Sequence, residues 1–147
     1  MDDHRQIARL VHEYAHRFDA AQFDEFAALF ANGTLTLTGL APPATGVTAV
    51  HETIARLVIL YDGSPRTNHI MSNVTIDVSP DGHSASGRAY VEILQAVSGF
   101  PLQIIATGIY SDRFTRRDGV WQFTERTSAG SLIGDVSRHL RLPERNT

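Results

Sequence analysis

The chain contains no cysteine in its 147 residues, which removes disulfides, a thiolate nucleophile and cysteine-ligated zinc from its chemistry. Positive charge is also in short supply: 13 Lys+Arg against 16 Asp+Glu leave a net charge of -3, and every basic residue of the two kinds is arginine. A nucleic-acid partner would need a basic face, so none is expected. The arginine bias speaks of genome composition rather than mechanism. No run approaches the roughly 18 apolar residues of a membrane span, and the opening MDDHRQIARL has no apolar signal core. No membrane partner and a cytoplasmic location are therefore expected. Gly33, Gly39 and Gly46 are too scattered, and lack the strand-to-helix setting, to form a phosphate-binding loop.

What is present suits an ordinary globule, with 42% hydrophobic and 20% charged residues. A chain of this length buries roughly two-thirds of its surface on folding, enough for one core with a ligand cavity. One domain is expected over residues 1–134. Residues 135–147, which include Pro143 and the closing Arg145-Asn146-Thr147, read as a short helical or frayed tail.

Ile7, Leu10, Val11, Tyr14 and Phe18 recur at helical spacing and predict an amphipathic helix from about Asp3 to Phe18. Phe23, Phe26, Ala27 and Phe30 repeat the pattern in a short second helix, with Asn32-Gly33 as its left-handed stop. Alternating Thr and Leu from Thr34 to Thr38 predict a short strand, and Pro42-Pro43 a loop. Val50, Ile54, Leu57, Val58 and Tyr61 predict a third helix over 47–61, ended by Asp62-Gly63-Ser64-Pro65. Four β-rich runs follow at about 67–78, 83–97, 102–116 and 120–131, separated by Pro80-Asp81-Gly82, Ser98-Gly99-Phe100-Pro101 and Asp118-Gly119. Strands of this length in an antiparallel meander must twist and bend, curling around the helices and leaving a pocket at the open end. The fold class is α+β.

The candidates for chemistry lie at the seams of this pattern. Asp19 follows the last turn of the first helix, where the dipole disfavours a carboxylate, so it serves either as N-cap of the next helix or as the partner of a distant histidine. His69 enters the first long strand, either as a satisfied polar core residue or as part of a pocket wall. Alternation sets His69, Met71, Asn73 and Thr75 on one mixed face, with Ile70, Ser72, Val74, Ile76 and Val78 on the other. On the last strand, alternation groups Arg126 with Gln122 and Thr124, opposite Trp121, Phe123 and Thr127. Arg126 then either closes a surface ion pair with Glu125 or Glu92 or offers a fixed cation to an enolate, carboxylate or departing anion. Tyr14, Tyr61, Tyr90 and Tyr110 are candidate wall residues whose hydroxyls could orient a substrate. His12-Glu13-Tyr14-Ala15-His16 spells the H-E-x-x-H of zinc hydrolases, but both histidines project opposite the apolar stripe and face water, so no metal site is expected.

Three stretches in order carry a resemblance: Tyr14 to Phe30 (YAHRFDAAQFDEFAALF), His69 to Asn73 (HIMSN) and Gly108 to Arg126 (GIYSDRFTRRDGVWQFTER). Together they resemble the SnoaL-like branch of the nuclear transport factor 2-like superfamily, which includes scytalone dehydratase and hexachlorocyclohexane dehydrochlorinase. The resemblance implies a cone-shaped α+β barrel, a strongly bent antiparallel sheet wrapped on three N-terminal helices around an internal pocket. It implies that Asp19 orients His69, that His69 abstracts a proton, and that Arg126 stabilises the leaving group. It also implies that Tyr14 lines the cavity; with Met71 and Asn73 from the strand face and Tyr90 and Tyr110 from their hydroxyls, these are the expected substrate-binding residues, and no cofactor is expected. Scytalone dehydratase has a second histidine on the next strand and an asparagine on the one after, where this chain has Gln95 and Tyr110 nearby. The dehydrochlorinase's cysteine is missing too. The implied activity is that of a cofactor-independent lyase or isomerase, of dehydratase, dehydrohalogenase or cyclase type, acting on a small hydrophobic cyclic molecule. The alternative is a noncatalytic ligand-binding or assembly module of the same fold. Apolar residues on both faces of the long strands, such as Ala89, Val91 and Ile93 against Tyr90, Leu94 and Ala96, lead us to expect a homodimer or homotrimer.

Overall fold

Asp2 opens the first helix by accepting a hydrogen bond from the Arg5 backbone N–H at 2.9 Å, in a computed structural model that describes residues 2–142. Helix α1 (Asp3–Asp19) buries Ile7, Val11, Tyr14, Ala15 and Phe18 along its stripe. The chain reverses directly after Asp19: the Ala20 N–H returns to the His16 carbonyl, and Ala21 is left-handed at φ 57°. Helix α2 (Phe23–Ala28) packs on helix α3 (Gly46–Leu57), and between them run β1 (Thr34–Leu37) and β2 (Ala44–Thr45). Two residues carry no readable period, which is why β2 was not expected from the sequence. Gly33 does not supply a left-handed stop. A Cβ there would lie 2.5 Å from the Phe123 carbonyl oxygen, so glycine is needed for close approach to the last strand. Helix α3 ends at Leu57 rather than Tyr61, because Val58 is already extended and pairs with Leu140.

The four long strands are β3 (Thr67–Val78), β4 (Ser84–Val97), β5 (Phe100–Arg117) and β6 (Val120–Ile133). They form the expected meander, in a sheet ordered β2-β1-β6-β5-β4-β3. Asp118 and Gly119, at φ 50° and 78°, make the tight turn that joins β5 to β6. The sheet is mixed rather than wholly antiparallel, since β1 lies parallel to β6, with Leu35 opposite Arg126. The curved six-stranded sheet and three helices make the α+β cone.

Two bulges decide which residues face inward. In β3 the register with β4 shifts between Ser72 and Thr75, where Asn73 is left-handed at φ 51°. Val74, Ile76 and Val78 therefore pack on the core together with Met71, while Ile70 is 48% exposed and Asn73 points outward. The expected grouping fails beyond Ser72 because one extra residue inverts the alternation. In β6, Phe123 pairs with Phe114 but Glu125 pairs with Arg113. That shift puts Arg126 on the same inner face as Trp121 and Phe123, the reverse of the simple alternation.

The core is aromatic at its closed end, where Phe30 stacks on Phe123 at 5.1 Å and Phe114 tilts against the same ring. Burial of each such ring contributes about 1.5–3 kcal/mol. Residues 135–142 are neither a helix nor a frayed end. The Ile59 N–H donates to the His139 carbonyl at 2.9 Å and the Arg141 N–H to the Leu57 carbonyl at 2.8 Å, seating the segment against the end of α3. The rest of the expected tail, residues 143–147, lies outside the described residues. Leu102, Ile104, Leu132 and Ile133 remain more than half exposed on the sheet. No helix among the described residues is long and apolar enough to cross a membrane.

Candidate active site

The end of α1 and the start of β3 meet at one carboxylate. Asp19 Oδ1 accepts from the His69 ring Nδ1 at 2.7 Å and from the Thr67 hydroxyl at 2.8 Å, and Oδ2 accepts from the His69 backbone N–H at 2.7 Å. Three donors offset the unfavourable field of the helix C-terminus. Asp19 is not the N-cap of α2, a position held by Gln22. Because an ionised carboxylate only accepts, Nδ1 carries the proton, which makes Nε2 the basic nitrogen of the neutral ring. The His69 side chain is 4% exposed and packs against Phe18, with ring centroids 4.5 Å apart.

His69 lines a cavity of about 460 Å³ in the open end of the cone. Its walls are mostly apolar, with Phe18 from α1, Ile54 and Leu57 from α3, Val91 and Ile93 from β4, and Ile133, Val136 and Leu140 from the end of the described chain. Polar atoms enter from Tyr14, Thr38, His69, Thr107, Tyr110, Ser128 and His139. No Asp, Glu or Arg belongs to the described lining. Asp19 borders a separate outer groove of about 370 Å³, which it shares with His12, His16, Asn68 and Met71, so the dyad stands between cavity and surface.

Arg126 lies beneath this cavity rather than in its wall. Its Nε and Nη2 each donate to Asp112 at 2.8 Å, and the two side chains are 0% and 1% exposed. The guanidinium carbon sits 4.1 Å from the Tyr110 ring centroid and 4.4 Å from that of Tyr14. Burial works against its charge, but the bond and field of Asp112 outweigh it and hold the pKa above the ordinary arginine value. The expected surface partners are not used: Glu92 instead accepts from the Ser72 hydroxyl at 3.0 Å. Tyr14 and Tyr110 do line the cavity. Burial raises the pKa of both phenols, well above the usual value for Tyr110, so both are protonated donors at neutral pH.

A family profile described as a SnoaL-like domain matches residues 1–127. The chain belongs to the SnoaL-like family. No curated protein matches the sequence. Among solved structures, it is similar to a candidate scytalone dehydratase from Novosphingobium aromaticivorans, with 27% identity over 97% of this chain and 91% of that one and a TM-score of 0.71. It is similar in fold to LinA, with 17% identity over 98% and 90% of the two chains and a TM-score of 0.71. An NTF2-like protein with a cystatin-like fold, also from Novosphingobium aromaticivorans, shares 20% identity over 87% and 81%, with a TM-score of 0.73.

Within this SnoaL-like cone the remaining candidates scatter. Asn73 sits exposed at its bulge, and Tyr90 is 41% exposed on the outer sheet face, so neither reaches the cavity. The cause for Asn73 is the inverted alternation described above. Tyr90 fails because its neighbours Ala89 and Val91 take the inner face of β4. Met71 packs on the core and borders the outer groove. The Tyr61 hydroxyl is taken up by the Arg138 carbonyl at 2.7 Å. His12 and His16 are exposed and Glu13 pairs with Arg17 at 3.0 Å. Among the described residues no group of three His, Cys, Asp or Glu side chains could hold a metal ion.

Three residues in or beneath the candidate site escaped the sequence reading. Thr67 shares the face of His69 two residues upstream, a signal that alternation did contain. Asp112 stands across from Arg126 in the β5/β6 register, which only pairing reveals. His139 is 4% exposed and lines the cavity from the segment expected to be a tail. Burial, with the field of His69 adding to it and that of Asp19 opposing, pushes its pKa down to about 3. The apolar spacing of Val136, Leu140 and Leu142 around it was the clue that this segment packs.

Proposed function

We propose that this SnoaL-like protein is a cofactor-independent lyase or isomerase in which His69 abstracts a proton from a small, largely apolar cyclic molecule. One observation carries the reading: the 2.7 Å contact of Asp19 with His69 Nδ1, at the wall of an apolar cavity of about 460 Å³. A base held in one tautomer by a carboxylate, with its second nitrogen free beside a ligand-sized space, suits proton abstraction. The family and its dehydratase-named relative support a small-molecule-binding or lyase and isomerase fold.

In this scheme Nε2 takes a proton from carbon next to a carbonyl or leaving group. The electron pair left behind forms an enolate or expels the leaving group. Asp19 stabilises the imidazolium, and the imidazolium returns its proton to the departing group or to the ring. Dehydration, dehydrohalogenation and cyclisation share this first step. Arg126 takes no direct part, because Asp112 occupies its charge.

β-Tetralone tests the reading, since it is a neutral bicyclic ketone with an acidic C–H. The protein should accelerate exchange of that proton for deuterium in heavy water, and His69→Ala should lose the acceleration by about 10²–10⁴-fold. Equal rates for the two proteins would overturn it. Binding without any acceleration would instead identify a noncatalytic ligand-binding module. The exposed apolar residues on the sheet support the expected homodimer or homotrimer, which sedimentation equilibrium distinguishes from a monomer.

A further inference from the structure

An enolate needs a donor at its oxygen, and the described cavity wall offers no cation for the purpose. Arg126 is committed to Asp112 and covered by Tyr14 and Tyr110. The remaining donors are the hydroxyls of Thr38, Thr107 and Ser128, two phenols that hydrogen-bond each other, and one unassigned imidazole. His139 is 4% exposed, its Nδ1 is buried without a partner, and neither ring nitrogen makes a hydrogen bond among the described residues. Its ring centroid lies 6.1 Å from that of His69. No direct hydrogen bond joins the two rings, which meet edge to face and both line the cavity, so one molecule bound there can reach both side chains.

Everything else around His139 is tied down. Its own N–H donates to the Val136 carbonyl at 3.0 Å, and its carbonyl accepts from Ile59 at 2.9 Å. The preceding carbonyl, that of Arg138, accepts from the Tyr61 hydroxyl at 2.7 Å and from Gln95 Nε2 at 3.0 Å. On the other side, Arg141 Nη1 donates to the Val58 carbonyl at 2.7 Å. The segment is anchored at each step, and the ring it brings to the cavity wall has its Nδ1 buried without a partner, so Nε2 is the nitrogen left to meet a bound molecule. A buried unpaired polar group carries a penalty that a leucine would avoid, so its presence asks for an explanation.

We propose that His139 is the oxygen-binding residue of the site, its ring N–H donating to the carbonyl or hydroxyl oxygen next to the carbon that His69 deprotonates. The ligand class is thereby narrowed to neutral ring compounds bearing a carbonyl or hydroxyl, in preference to the parent hydrocarbon. Burial and the nearby His69 keep the ring uncharged, and an uncharged imidazole can polarise a carbonyl without protonating it outright. Gln95 pins the segment that carries this histidine, its Nε2 donating to the Pro65 and Arg138 carbonyls at 3.1 and 3.0 Å.

The proposal rests on the reading of His69 as a base, and one experiment separates their failures. The affinities of β-tetralone and of tetralin, its hydrocarbon, are measured by calorimetry for the intact chain, His139→Leu and His139→Gln. The intact chain should favour the ketone. His139→Leu should shrink that preference by about three- to tenfold while leaving tetralin within about twofold, and His139→Gln, which keeps an N–H, should recover part of it. In the unmutated protein, the His139 ring nitrogen resonances should shift with β-tetralone and not with tetralin, a readout independent of any variant's folding. No ketone preference in the intact chain, or a preference that His139→Leu leaves unchanged, overturns the proposal. A His139-dependent preference with no proton exchange in the intact chain would sink the base reading alone. Exchange lost in His69→Ala beside a preference indifferent to His139 would sink only the present proposal.

Discussion

The molecule holds two carboxylate–base pairs of nearly equal length, Asp19–His69 at 2.7 Å and Asp112–Arg126 at 2.8 Å, with different fates. Each joins residues distant in sequence, and each is mostly or wholly withdrawn from water. Asp112 takes two donors of Arg126, aromatic rings cover the group, and the remaining Nη1 is buried without a partner. Asp19 takes one nitrogen of His69 and leaves the other without a partner among the described residues, in a ring that lines both the cavity and the outer groove. What separates a candidate site from a structural ion pair here is therefore an unspent group with space in front of it. Charge alone would have ranked Arg126 first.

The largest effect that should break the symmetry between the pairs comes from Asp112→Ala. It strands a buried guanidinium and should destabilise the protein by about 3–5 kcal/mol in urea titrations. The double change Asp112→Leu with Arg126→Met should recover most of that loss, because no charge is left without a partner. His69→Ala is expected to change stability much less while removing proton exchange. A single change that removed both stability and exchange to the same degree at each pair would erase the distinction.

The next effect is on pH dependence. Unfolded His139 titrates near its usual 6.5, and in the folded protein its pKa is about 3. Between these values the unfolded chain binds more protons, so stability is complete above the upper value and is lost as pH falls toward the lower. The loss should be on the order of 5 kcal/mol, and His139→Leu should flatten the slope across that window. The fields of His69 and Asp19 both act on this ring, so the difference between the two proteins is the quantity to read. The smallest change is Thr67→Val, which removes one of the three donors to Asp19. A loss of about 1 kcal/mol is expected, with a modest fall in exchange rate. No change in either would mean that the two donors from His69 suffice.

The helices, the four long strands and their turns were legible because period and punctuation are local properties. The stripe Ile7, Val11, Tyr14, Phe18 is buried as the spacing required, and Asp118-Gly119 turns where the dipeptide says it should. Asp19 and His69 were legible as a pair only through resemblance, since nothing local links residues at opposite ends of a helix, a loop and a second helix. Asn73 and Tyr90 were misplaced for the same kind of reason: alternation has no memory of a bulge, and it cannot say which of two apolar faces turns inward.

The sequence by itself determined the class of fold, the order of its elements, the absence of thiol chemistry and the identities of the residues able to move a proton. Tertiary structure decided which of them are free to do so. Strand pairing gave Arg126 to Asp112, two bulges reversed the inward faces of β3 and β6, and an anchored segment carried His139 to the cavity. Residue type and spacing act along the chain, whereas register, burial and the spending of hydrogen-bond donors depend on neighbours that only folding brings together.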